Sequence, residues 1–421
     1  MSPARIKSVR ASIAIDSRAE KTIYVEVVTD AASGMCSAPR GAPLSVAAYE
    51  APSYPPGGVY EAIRLVNEEI APRLKGLDAR RQEQIDQRLK EIDGTPNFRR
   101  IGGNTSTAVS IAVARAAANG LGLSLYRYLG TPFSSTLSLP LVNLIGGGPH
   151  AIDGVVPDFQ EHHLVPVNAK SMRDVLDSCR LAYQKLREKC MRDDSNWTGG
   201  MDDEGAWAPN MTDWRALELM TAVANEVDQE IGVKMRLGID CAAEHLWNCK
   251  RQVYDYKREH IERNPEEQKE YISKLIESFP IYYVEDIARA DDFETFAEIT
   301  RKYGNKVLVC GDDLLACNID RLATAAKMGA CNSLIIKVNM TGTLTDTYRV
   351  VRFAVLSGYM PIQSRRSGET EDTTIADLAV AWNCPLNKFA FAQSGAPKQN
   401  RLLRIEEELD DMARMPTLPF L

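Results

Sequence analysis

The stretch Val233-Lys234-Met235-Arg236-Leu237-Gly238-Ile239-Asp240 sets the pattern by which this chain is read: a short apolar run that ends in a residue able to do chemistry, with a helix-patterned segment after it. The pattern recurs at Pro280–Glu285, Val307–Asp312, Ser333–Lys337, Met360–Arg365 and Phe389–Gln393. Repeated strand-then-helix units predict a parallel sheet closed into a (β/α)8 barrel. In such a barrel the C-terminal ends of the strands open onto one face, so polar residues far apart in sequence converge there. Between the runs the helices are legible. Ile272, Leu275, Ile276 and Phe279 fall at i, i+3, i+4 and i+7, and Asn318 is a fitting N-cap for the helix that begins at Ile319.

Upstream the rhythm differs. Residues 6–28 alternate as paired strands do, with Asp16-Ser17-Arg18 as turn material, while 60–89 and 105–123 have helical composition. Ala112, Ala116 and Ala117 would let the second helical stretch pack closely against a neighbour. The fold class predicted is α/β: an α+β N-terminal capping domain over residues 1–135 and a barrel over 136–421.

The composition excludes several function classes. The 421 residues carry a formal net charge of −7 and no run of Lys and Arg interleaved with aromatics, so nucleic acid is not an expected partner. The nine cysteines are scattered without a C-x-x-C pair, as expected of reduced, mostly buried thiols. The stretch from Met1 to Lys7 lacks the apolar core of a secretory signal, and no apolar run approaches the roughly 20 residues of a membrane span. A cytoplasmic protein without a membrane partner is expected.

Asp240, Glu285 and Asp312 end three of the runs and offer only oxygen donors, which suits Mg²⁺. Any one of them alone would be read as a solvated loop acid. Three in succession, followed by Lys337 at the next strand end, point instead to a metal site with a base beside it. A lysine in such a pocket can have its pKa lowered until it removes a proton near neutral pH. Its target is a carbon next to a carboxylate, since Mg²⁺ can neutralise the charge that develops there. Lysine paired with Mg²⁺ is itself the known pattern of the enolase superfamily.

The chain resembles the enolase family along almost its whole length. The resemblance is carried by Ile15-Asp16-Ser17-Arg18, Asp203-Glu204-Gly205 with Ala208-Pro209-Asn210, Leu237 to Ala242 and Gly311-Asp312-Asp313-Leu314. It continues in Lys337-Val338-Asn339, Arg366 to Thr373 and Leu403 to Leu409. It implies a homodimer, dependence on Mg²⁺, and a small phosphorylated or phosphonylated acid as substrate. It also implies that Glu204 serves the leaving hydroxyl with Glu161 as its partner, that Gln160 adjoins that pair, and that His150 is a histidine of a mobile loop. Arg366 and Ser367 match the family's phosphate-binding pair, and a guanidinium can hold two phosphate oxygens at once.

Four places depart from the family pattern. In Arg40-Gly41-Ala42-Pro43-Leu44-Ser45, Pro43 replaces a serine that ligates a second Mg²⁺. Arg365 replaces a histidine, and Gln393 aligns with the lysine that grips the substrate carboxylate. The segment from His150 to Glu161 is longer than usual and is followed by His162-His163, where apolar residues are usual. These departures lead to the expectation of a specialised lyase that eliminates to an enolpyruvate ester, of the carboxyphosphonoenolpyruvate synthase kind, in phosphonate or phosphinate natural-product biosynthesis. In that reading Arg365 welcomes an extra anionic group, and a second co-substrate is possible. The alternative is phosphopyruvate hydratase, the glycolytic enolase activity. A further alternative is a non-catalytic binding protein, against which the intact metal and base residues stand.

Overall fold

The computed structural model describes residues 4–41, 49–151 and 155–421. Pro43 and its neighbours Ala42, Leu44 and Ser45 lie outside these residues, as does the start of the chain, Met1 to Pro3. The chain begins with a three-stranded antiparallel sheet: β1 (Ile6–Ile15), β2 (Lys21–Thr29) and β3 (Ser33–Ser37), in that order. The turn between β1 and β2 is held by Asp16, whose Oδ1 accepts the backbone N–H groups of Arg18 and Glu20 at 2.9 Å each. Helix Gly103–Gly120 crosses under this sheet. A Cβ placed on Gly34 of β3 would lie 2.2 Å from the Ala116 nitrogen, so a bare backbone on one side and alanines on the other set the spacing. The helical stretch expected over 60–89 is broken. It runs over Gly58–Leu65, passes through a π turn at Val66–Ile70, ends at Leu74 and resumes at Gln82–Asp93. Gly76, at φ +85°, takes a left-handed conformation in the break.

The second part is a barrel. Strands β4 (Leu139–Pro140), β5 (Val142–Gly146), β6 (Glu161–Pro166) and β7 (Met235–Asp240) are followed by a small side sheet of β8 (Trp247–Asn248), β9 (Val253–Tyr256) and β10 (Ile261–Arg263). The barrel then resumes with β11 (Ile281–Glu285), β12 (Leu308–Gly311), β13 (Ser333–Ile336), β14 (Met360–Ser364) and β15 (Leu386–Lys388). The strand order is β4-β15-β14-β13-β12-β11-β7-β6-β5. Because β4 and β5 are separated by Leu141 alone, this one stretch pairs with both ends of the sheet and closes it nearly completely.

Two expectations are corrected here. The barrel is not uniformly parallel, because β6 pairs antiparallel with both β5 and β7. Apolar periodicity reports which face a strand buries but not its direction. The last strand is Leu386–Lys388, not 389–393, and Gln393 instead begins a short 3-10 turn. Asn318 does cap its helix, accepting from the Asp320 and Arg321 N–H groups. All nine cysteines are unpaired, and among the described residues no helix is long and apolar enough to cross a membrane.

The N-terminal part is stitched to the barrel mouth through the loop after β14. Ser17 N–H donates to Glu369 O at 2.7 Å, and the Arg40 and Gly41 N–H groups donate to Gly368 O and Ser367 O at 2.9 Å each. Gly368 sits at φ +67°, and a Cβ there would lie 2.7 Å from the Asp16 carboxylate. Gly368→Ala therefore combines a left-handed backbone, which costs about 1 to 2 kcal/mol for a residue with a side chain, with a clash against the turn at Asp16. It is predicted to lower thermal stability and to raise KM more than it lowers kcat, as measured by thermal denaturation and steady-state kinetics.

Candidate active site

The mouth of the barrel holds a cavity of about 210 Å³ lined by Gln160, Asp240, Asp312, Lys337, Arg366 and Ser367, with His150 at its edge. Asp240 and Glu285 are the last residues of β7 and β11, and Asp312 and Lys337 directly follow β12 and β13. Glu161 comes from the opposite chain direction. It opens the antiparallel β6 and lies in register with Asp240, so reversing this strand brings a residue from its N-terminal end to the same rim.

At the floor of the mouth is a buried lysine that the sequence reading missed. Lys388 Nζ lies 2.5 Å from Asp240 Oδ2, 2.8 Å from Glu285 Oε2 and 3.2 Å from Glu161 Oε1. Burial opposes its charge, but the three carboxylates outweigh that and hold its pKa well above the ordinary lysine value. Gln393 is elsewhere. It does not line the cavity, and its side chain packs near Gly205 and Met201. The position read as having lost a charge is thus supplied with one by Lys388. The Gln393–Pro397 stretch drew the match too far along the chain. The available signal was Leu386-Asn387-Lys388, a run too short to stand out as a strand.

The carboxylates fit a hard divalent cation. Glu285 Oε1 and Asp312 Oδ1 are buried without any hydrogen-bond partner, a costly arrangement unless something positive is meant to meet them. Burial, then the neighbouring Asp240 charge, pushes the Glu285 carboxyl well above its usual range. Gln160 donates to Asp240 Oδ2 at 3.0 Å and fixes its rotamer. Among the described residues, Asp240, Glu285 and Asp286 bring one oxygen each to within 4.8 Å of one another. Asp286 was not anticipated, although it directly follows Glu285. Its two oxygens accept from the Asp312 and Asp313 backbone N–H groups at 3.1 and 2.9 Å, so it shapes the loop that carries Asp312.

Lys337 is ion-paired with Asp312. Burial works against its ammonium, but the Asp312 charge outweighs it and raises the pKa. The lowered value expected from the sequence belongs to a site in which a cation shares the Asp312 charge.

On the other wall, Glu204 is ion-paired with Arg365, whose Nη2 is also 3.9 Å from Glu161 Oε1. Arg365 is therefore buried between two carboxylates and already engaged, not a spare cation waiting for an extra anionic group. His150 Nδ1 lies 2.6 Å from Asp203 Oδ1 and 3.4 Å from Glu204 Oε1. Arg18, from the first turn of the chain, pairs with Asp203 in turn. Burial alone would raise the Asp203 pKa, but His150 and Arg18 bring it below the usual carboxylate value. Arg366 is paired with the buried Glu50 at 2.5 Å, and its backbone N–H donates to Glu369 at 3.1 Å. Among the described site residues anticipated from sequence, then, Gln393 is the one that stands apart from the mouth.

Comparison with known families agrees with this geometry. Residues 6–129 match the family described as "Enolase, N-terminal domain" and residues 134–417 match "Enolase, C-terminal TIM barrel domain". A protein named Enolase from Methanosphaera stadtmanae is 44% identical over 405 residues, covering 96% of this chain and 97% of its own length. One of the same name from Methanothermobacter thermautotrophicus is 41% identical over 416 residues, covering 99% of both. A third, from Archaeoglobus fulgidus, is 38% identical over 406 residues, covering 96% of this chain and 98% of its own. The chain belongs to the enolase family and is a Mg²⁺-dependent lyase of the enolase superfamily.

Proposed function

We propose that this enzyme dehydrates 2-phosphoglycerate to phosphoenolpyruvate, the phosphopyruvate hydratase activity. The observation that carries the reading is that two lysines, the half-buried Lys337 and the buried Lys388, sit among Asp240, Glu285, Asp312 and Glu161 beside Arg366 and Ser367. The relatives named Enolase point the same way.

In this reading Arg366 and Ser367 hold the phosphate and Lys388 faces the substrate carboxylate. Lys337 takes the proton from the carbon between them, which requires its amine to be free of that proton at the outset. Glu204, partnered by Glu161 and backed by His150, must take up a proton beside Arg365 before it gives one to the departing hydroxyl, so that one C–H bond and one C–O bond break, a C=C bond forms and water leaves. Asp240, Glu285 and Asp312 would hold Mg²⁺, which would supply positive charge against the negative charge that develops on the substrate carboxylate. The family's homodimer belongs to the same reading, and the exposed Ile13 and Ile15 of β1 offer it an apolar surface. So does a cytoplasmic location.

A second reading, the specialised carboxyphosphonoenolpyruvate synthase kind, is favoured by one observation: Arg365 and Arg366 are adjacent buried guanidiniums at the site. The Arg365–Glu204 pair weakens it, because the added charge is already neutralised within the protein. The two readings separate in one experiment. The hydratase reading predicts a kcat/KM on 2-phosphoglycerate of about 10⁴ M⁻¹s⁻¹ or more. It further predicts that Arg365→His lowers that value by roughly 10- to 150-fold, the loss of a charge-assisted contact worth about 1.5 to 3 kcal/mol. Feeble turnover by the wild type, unaffected by Arg365→His, would support the specialised reading.

Lys388 gives a test that needs no substrate. Removing one partner from a buried ionic cluster costs about 3 to 5 kcal/mol, and in Lys388→Met what remains is a set of mutually repelling carboxylates. Saturating Mg²⁺ should therefore raise the melting temperature of Lys388→Met by more than it raises that of the wild type. Differential scanning calorimetry with Mg²⁺ and with EDTA measures both.

A further inference from the structure

The interior of a barrel of this kind is normally filled by branched hydrocarbon side chains. One layer below the carboxylates this barrel departs from that rule. Asp240 is flanked in register by Glu161 of β6 on one side and Glu285 of β11 on the other. Two residues deeper along the same three strands, on the same face of the sheet, stand Gly238 and its register partners His163 and Tyr283. His163 and Tyr283 are both fully buried. A Cβ on Gly238 would lie 3.2 Å from the Tyr283 Cβ and 3.3 Å from the His163 Cβ, so the bare backbone makes room for two large rings. The rings meet edge to face, with centroids 5.9 Å apart.

Each ring points a polar atom upward. His163 Nε2 lies 2.8 Å from Glu161 Oε2, and the Tyr283 hydroxyl donates to Glu285 Oε2 at 2.5 Å. We propose that His163 and Tyr283 are positioning residues of the reaction, a buried polar layer across Gly238 whose two hydrogen bonds fix the carboxylate heads of Glu161 and Glu285. The proposal rests on the roles given to those carboxylates above.

The bonds select particular oxygens. Glu285 Oε2 takes both the Tyr283 hydroxyl and Lys388, which leaves Oε1, without a partner in the protein, as the atom presented to a cation. Glu161 Oε2 is tied down by His163, which leaves Oε1 facing Lys388 and Arg365. The imidazole is suited to this as a neutral donor. Glu161 can only accept while it is ionised, so the ring proton sits on Nε2, and Nδ1, buried without a partner, is a lone pair and not an unpaired N–H. Burial favours the neutral ring, lowering the His163 pKa despite the neighbouring carboxylate.

The test uses Tyr283→Phe, His163→Leu and His163→Gln. The first keeps the ring and loses only the hydroxyl, and the last offers an amide N–H near the place of Nε2. Mn²⁺ affinity, titrated calorimetrically without substrate, should weaken by about 10- to 100-fold in Tyr283→Phe, the usual size of such a supporting contact. Removing the donor to Glu161 disfavours its ionised form. In His163→Leu kcat should therefore fall by more than KM changes, while His163→Gln restores kcat towards wild type. Wild-type Mn²⁺ affinity in Tyr283→Phe, or a wild-type kcat in folded His163→Leu, overturns the proposal. If His163→Leu does not fold, the nearly isosteric Tyr283→Phe decides alone. Failure of the wild type to turn over 2-phosphoglycerate would sink the functional reading, while the substrate-free titration would still report on the positioning of Glu285.

Discussion

The ammonium of Lys388 among Asp240, Glu161 and Glu285 is the contact on which the site depends. Three buried carboxylates cannot share so small a volume without a cation, because mutual repulsion and lost hydration would otherwise protonate them or push them apart. With Lys388 at their centre they stay close and ordered, and outward-facing oxygens such as Glu285 Oε1 remain unused. The barrel supplies the rest. The antiparallel β6 and the parallel β11 bring their acids to either side of Asp240, and the layer below holds two of the three heads in place.

The N-terminal part contributes to this site more than a cover. Its first turn sends Arg18 to Asp203, and Asp203 holds His150, so a residue of the opening hairpin bears on the wall that carries Glu204. The same turn and the segment at Arg40 and Gly41 are bonded by backbone groups to the Arg366–Glu369 loop. Glu50 adds a buried counter-charge to Arg366. The Arg366–Glu369 loop, fixed in this way, has little freedom left to lose when a ligand arrives, which is how preorganisation favours binding.

Much of this was legible in the sequence, and the gaps have physical causes. Asp240, Glu285, Asp312 and Lys337 could be read because apolar runs announce strands and each run stops at the residue that matters. Lys388 could not, because its strand is three residues long and includes a polar Asn387. The direction of β6 was hidden for a different reason, since a reversed strand has the same alternation as a forward one. Arg365 was placed at the site, but its partner Glu204 lies far away in sequence, and only the fold shows the two paired. His162 and His163 were noticed as unusual, but the role proposed for His163 emerges only from its register with Gly238 and Tyr283.

The account comes down to whether Lys337, held beside Asp312, is the group that removes the proton next to the substrate carboxylate. The most direct measurement is exchange of that proton for deuterium in 2-phosphoglycerate, followed by NMR in D₂O with Mg²⁺ for the wild type and for a folded Lys337→Ala. The account predicts steady exchange with the wild type and none above background with the variant, even over incubations in which fluorescence and melting temperature show the variant intact. Exchange at the wild-type rate in folded Lys337→Ala would contradict it and place the base elsewhere in the mouth of the barrel.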